Sequence, residues 1–235
     1  MFKILQADKE YENNLKQYTK KDGILALALF AIIIIEYSIF GILRNNFEFV
    51  NKNIMIFGDI CNLLMIVITI LFIKFNKQKI DTIGIFKGKW KISIIIGIIL
   101  ALFYSYNNCI SYLINGSKIV PLVQLPKLII YYLLVSVCEE FVFRGYIGTR
   151  IFGFFKNKYI AICLTGILFI VMHFPYRMIA YGMILSDLTI NNFGWIIDLF
   201  ITHIIFSFIY LKTNSLYGAI IPHWVSNLAY NIVLK

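Results

Sequence analysis

Charge is scarce in this sequence. Asp, Glu, Lys and Arg make up 14% of its 235 residues, while 60% are hydrophobic; a soluble domain carries roughly a quarter charged residues and about half apolar ones. The deficit excludes an ordinary water-soluble domain, and a mean hydropathy of +0.80 places the chain in a membrane. Cysteine is also sparse. Its four copies, Cys61, Cys109, Cys138 and Cys163, lie inside apolar runs with no C-x-x-C pair, so they read as small core residues rather than disulfide partners or metal ligands. A cleavable leader is not expected, because residues 1–23 are too polar to form one. Internal repeats, low-complexity linkers and a separate soluble domain are all missing. Strand-like alternation is missing too, so the backbone must be satisfied within helices.

What the chain does have is long apolar runs. Spans of about 20 such residues mark transmembrane helices, and they are expected at 24–43, 54–73, 92–114, 128–149, 159–174, 193–211 and 216–234. The fold class is therefore an all-α polytopic bundle of about seven spans. An interfacial or re-entrant segment at 176–188 would be an eighth. We divide the chain into a polar tail (1–23), N-terminal spans and loops (24–127) and a core (128–235). In the tail, Ile4, Tyr11, Leu15 and Tyr18 fall near helical spacing, which predicts an amphipathic helix on the membrane surface.

The net charge of +10 does not point to nucleic acid, because the lysines sit in short loops beside the spans. The tail holds Lys3, Lys9, Lys16, Lys20 and Lys21; the 74–91 loop holds Lys74, Lys77, Lys79, Lys87, Lys89 and Lys91; Arg150, Lys156 and Lys158 follow the fourth span. The loops between them are poor in basic residues. Basic loops stay on the cytoplasmic side, so the N-terminus is expected to be cytoplasmic in a multi-pass cell-membrane protein.

Against this apolar background, ionisable residues inside spans read as functional. The fourth span contains Glu139, Glu140 and Arg144 within C-E-E-F-V-F-R-G. Neighbouring helical residues point about 100° apart, so the two carboxylates face different surroundings. Glu140 and Arg144 are four apart and able to pair. Glu139 has no such local cation; its same-face neighbours Val135, Ser136, Val142 and Phe143 desolvate it without neutralising it, a setting that suits a general base. The fifth span has Phe169 and His173 on one face. The seventh has His223 and Asn227 on one face, extended by Ser226, Tyr230 and Asn231, with Pro222 inviting a kink. Asp198, Thr202, His203, Glu36 and Asp59 read as packing polar groups. By these boundaries His173 lies deeper in the membrane than Glu139.

The three polar patterns E-E-F-V-F-R (139–144), F-I-V-M-H (169–173) and H-W-V-S-N (223–227) resemble the E-E-x-x-x-R, F-x-x-x-H and H-x-x-x-N motifs of the CPBP intramembrane proteases, a family that includes type II CAAX prenyl proteases and proteins of bacteriocin self-immunity. The resemblance covers 128–231. It implies a membrane endopeptidase in which Glu139 and His173 activate water, His223 and Asn227 hold the oxyanion, and Glu140 and Arg144 support the site. It implies a peptide or membrane-protein substrate in the bilayer, and the placement of the lysines already argues against a nucleic-acid partner. The favoured reading has no cofactor. The alternative is zinc or another divalent cation on Glu139, Glu140, His173 and His223, although H-E-x-x-H is absent. A non-catalytic immunity or scaffold protein that binds a bacteriocin or other partner is the competing function, and a proton-coupled transporter is a third.

Overall fold

The computed structural model describes residues 6–85 and 88–234, so Lys3, Ile4 and Lys87 fall outside the described residues. It is an all-α bundle. A short helix, α1 (Lys9–Lys16), precedes six helices long and apolar enough to cross a membrane: α2 (Lys20–Asn46), α3 (Ile54–Phe75), α4 (Trp90–Ile114), α5 (Leu122–Phe155), α6 (Lys158–Tyr181) and α7 (Phe193–Thr213). The last helix, α8 (Tyr217–Asn231), has 15 residues and a rise of about 22 Å, short of the ~30 Å hydrocarbon core. It occupies the place where the sequence predicts a seventh span. Along α3 the exposed side chains Ile56, Ile60, Leu63, Val67 and Leu71 recur at helical spacing, the stripe a lipid-facing helix requires.

Two helices extend beyond their expected ends. The glutamate helix continues to Phe155 instead of stopping at 149, and α6 runs through Pro175 to Tyr181. A proline in a helix removes one backbone donor and strains one turn, and here it does not end the helix. The segment expected to be a separate interfacial or re-entrant piece is therefore divided. Residues 176–181 complete α6, Gly182 ends it in the left-handed conformation at φ 64°, and Asp187–Asn191 form one π turn before α7.

The lysine-bearing loops gather at one end of the bundle. Asp8 N–H donates to the Leu211 carbonyl at 2.9 Å, Lys89 N–H to that of Thr213 at 2.7 Å, and Leu216 N–H to that of Gly84 at 3.1 Å. Lys89 Nζ lies 3.1 Å from Asp8, and Lys158 pairs with Glu12. At the opposite end a two-residue antiparallel pairing joins Lys118–Ile119 to Val233–Leu234.

The tail helix differs from its expected place on the membrane surface. Tyr11, Leu15 and Tyr18 are buried against the protein, and the Tyr11 ring meets that of Tyr210 edge-on at 5.2 Å. The apolar face found a protein partner because α5 continues to Phe155 and its last turns pack against the tail helix. Gly153 permits the approach: a Cβ there would lie 2.0 Å from the Thr19 carbonyl oxygen. Of the cysteines, Cys109 and Cys138 are core residues as expected, Cys61 is half-buried, and Cys163 is exposed.

Candidate active site

The site forms where α5 changes geometry. From Glu140 to Ile147 the helix widens into a π stretch, with hydrogen bonds to i+5 in place of i+4, a rearrangement common at functional sites. Two neighbours cap the widened backbone: the carbonyl of Gly145 accepts from Thr149 Oγ1 at 2.8 Å and from Arg150 Nη1 at 2.9 Å. Arg150 is itself buried, bonded to Gln78 Oε1 at 2.9 and 3.2 Å, and flanked by the rings of Tyr18 and Tyr146 at 4.5 and 4.4 Å. The basic residue read as a loop topology signal is thus a structural tie. It connects the tail and the 76–84 loop to the π stretch.

The pairing expected of Glu140 and Arg144 is present. Arg144 Nη1 donates to Glu140 Oε1 at 2.9 Å, with both side chains almost entirely buried. The same Oε1 accepts from His223 Nδ1 on α8 at 2.7 Å, and His223 Nε2 lies 3.6 Å from Glu139 Oε2. One imidazole therefore bridges the two adjacent carboxylates. Glu139 is buried, as expected, but it faces a potential cation on another helix, which no local spacing reveals.

On α6, the ring nitrogen Nδ1 of His173 is 2.8 Å from the carbonyl of Phe169. A carbonyl only accepts, so Nδ1 carries the proton, and in the neutral form of the ring Nε2 presents a lone pair. The Phe169 ring packs edge-on against the imidazole at 5.1 Å and lies under the Arg144 guanidinium at 4.6 Å. The four-residue F-x-x-x-H spacing thus has a physical reason, because one residue orients the histidine through its backbone and seats the arginine through its ring.

Glu139, His173, His223 and Asn227 line one cavity of about 210 Å³, together with Arg144. The depth difference expected between Glu139 and His173 disappears with the corrected helix ends. Glu139 lies 16 residues from Phe155 and His173 lies 15 from Lys158, about 24 and 22 Å along their axes. Asp198 and Thr202, read as packing groups, also line this cavity. His203 does behave as packing: it is buried, 3.2 Å from Ser207 Oγ, and beside the Phe169 ring at 5.7 Å. The sequence reading missed Arg177 and Trp195, which stack at 4.0 Å on the rim, where the Trp195 ring also meets His173 at 5.7 Å. Arg177 is four residues after His173, a spacing that carries weight only if α6 passes through Pro175.

The metal alternative can be weighed on these donors. Glu140 is committed to Arg144 and His223, whereas the bond from His173 Nδ1 to a carbonyl leaves its Nε2 free. Among the described residues no three His, Cys, Asp or Glu side chains form a group able to hold an ion. The steps proposed for the reaction use protein side chains and water alone.

Comparison with protein families bears on the wider question. Residues 121–229 match the model of the Rce1-like type II CAAX prenyl endopeptidases. The segment is Rce1-like. The match spans a little under half of the chain, contains all three polar patterns, and bears out the resemblance read from them. Neither curated proteins nor solved structures gave a match. With six helices among the described residues long and apolar enough to span, three of them inside the Rce1-like segment, the chain is an integral membrane protein, and the match supports a CAAX-type intramembrane protease in general terms.

Proposed function

We propose that the protein is a glutamate-dependent intramembrane endopeptidase, acting on a membrane-associated peptide or protein, with its lysine-bearing end and N-terminus in the cytoplasm. The observation that carries this reading is the shared cavity: four polar side chains from three helices converge on one space inside an apolar bundle. Glu139 takes a proton from water, with His173 Nε2 accepting a hydrogen bond to hold that water. The water oxygen attacks the peptide carbonyl carbon. Charge then develops on the carbonyl oxygen, where Asn227 and a doubly protonated His223 donate. When the C–N bond breaks, Glu139 returns its proton to the leaving nitrogen.

Glu140 and Arg144 act through His223. Two carboxylates and one guanidinium leave one negative charge over, and an imidazolium at 223 balances the cluster in a medium that does not tolerate unpaired charge. His223 would then donate from Nδ1 to Glu140 and keep Nε2–H for the reaction.

The test is hydrolysis of a fluorogenic peptide library by the purified protein in liposomes. Cleavage is expected to persist in excess chelator and to fall ~10²-fold or more in His173→Ala. Loss of activity on chelation, restored by a divalent metal, would overturn the metal-free reading. Full activity of His173→Ala would overturn the assignment of the base pair.

A further inference from the structure

Glu139 and His173 line a second cavity, on the side away from Asn227. It measures about 330 Å³ and reaches α2 and α3, within the size range of small-ligand pockets. Its wall contains Glu36. Both carboxylate oxygens of Glu36 are shielded from solvent, and neither has a hydrogen-bond partner. A buried carboxylate without a donor is a costly feature. Arg44, the one Lys or Arg among the described residues lining the cavity, does not relieve it. Arg44 lies eight residues further along α2, about 12 Å away by helical rise. Its guanidinium donates to Tyr176 Oη at 2.8 Å and Asn51 Oδ1 at 3.2 Å and stacks on Tyr181 at 4.4 Å. The remaining wall is rich in aromatic faces, including Tyr131 and Tyr132, whose rings meet at 5.0 Å.

From this arrangement we infer that the cavity is a substrate subsite for a basic side chain, lysine or arginine, close to the bond that is cut, with Glu36 as its counter-ion. An ammonium or guanidinium supplies the donors that the carboxylate lacks. The tyrosine rings receive the cation and its aliphatic stem. The cavity shares Glu139 and His173 with the reaction site, so a residue held there places the neighbouring peptide bond at the proposed base. Glu36 is a specificity-determining residue and takes no part in bond breaking.

The cleavage part of this inference rests on the endopeptidase reading, so its test measures binding as well. The probes are matched fluorescent peptides, cleavable by wild type in the library assay or drawn from apolar membrane segments, that carry lysine or leucine at one position. Affinity is measured on Glu139→Gln protein in lipid nanodiscs, and cleavage on wild type. The lysine peptide is expected to bind at least about tenfold more tightly than its leucine partner. Glu36→Gln should abolish that ratio, and Glu36→Asp should keep most of it. Because a ratio is read on one protein sample, loss of folded protein does not imitate the effect. Equal binding of the two peptides, or a ratio unchanged in Glu36→Gln, overturns the inference. A binding preference with no cleavage of either peptide overturns the protease reading and leaves the subsite standing.

Discussion

Glu139→Gln is expected to lower kcat for peptide-bond cleavage by ~10²–10⁴-fold with KM within a few-fold of wild type. The substitution changes one oxygen for nitrogen, so the buried side chain keeps its shape beside His223 and inside both cavities. What it loses is the ability to take a proton from water. A group used only in the transition state lowers kcat and kcat/KM together. Steady-state kinetics on the purified variant checks this. A rise in KM at unchanged kcat would make Glu139 a substrate contact and not the base.

The second large effect concerns stability. Arg144→Leu is expected to destabilise the protein by ~3–5 kcal/mol, because it strands the fully buried Glu140 with a single partner. Thermal unfolding in detergent reads the loss. Arg144→Lys should not restore it, since a lysine lacks the planar cation that both pairs with Glu140 and covers the Phe169 ring at 4.6 Å. The double variant Glu140→Leu/Arg144→Leu should recover much of the stability, because removing both charges ends the desolvation penalty. It should stay inactive, because His223 loses the carboxylate that holds its Nδ1. Recovery of activity in the double variant would contradict the positioning role given to Glu140.

The helices and their polar faces were legible in the sequence because both follow from local periodicity. A long apolar run has one stable form in a bilayer, and a four-residue spacing places Glu140 against Arg144 in almost any helix. What the sequence left out depends on contacts between helices. The approach of His223 to both glutamates joins residues more than eighty positions apart. The π stretch from Glu140 to Ile147 is stabilised by Arg150, Thr149 and Gln78, so it has no signature in propensity. Pro175 and the end of α5 misled the boundaries for the same reason: tertiary packing carried helices past residues that would stop them in isolation. Glu36, Asp198 and Thr202 were read as packing groups, and only the shape of the cavities sets them apart from His203, which is one.

The central claim is that this protein cuts a peptide bond with Glu139. The most direct measurement compares membrane-associated peptides and new protein termini in cells carrying wild type or Glu139→Ala at equal membrane abundance. The expected result is at least one cleavage product that is present with wild type, absent with the variant, and restored by re-expression of wild type. Identical peptide profiles, accompanied by a cellular phenotype that Glu139→Ala leaves intact, would contradict it and make the protein a binding factor in the membrane.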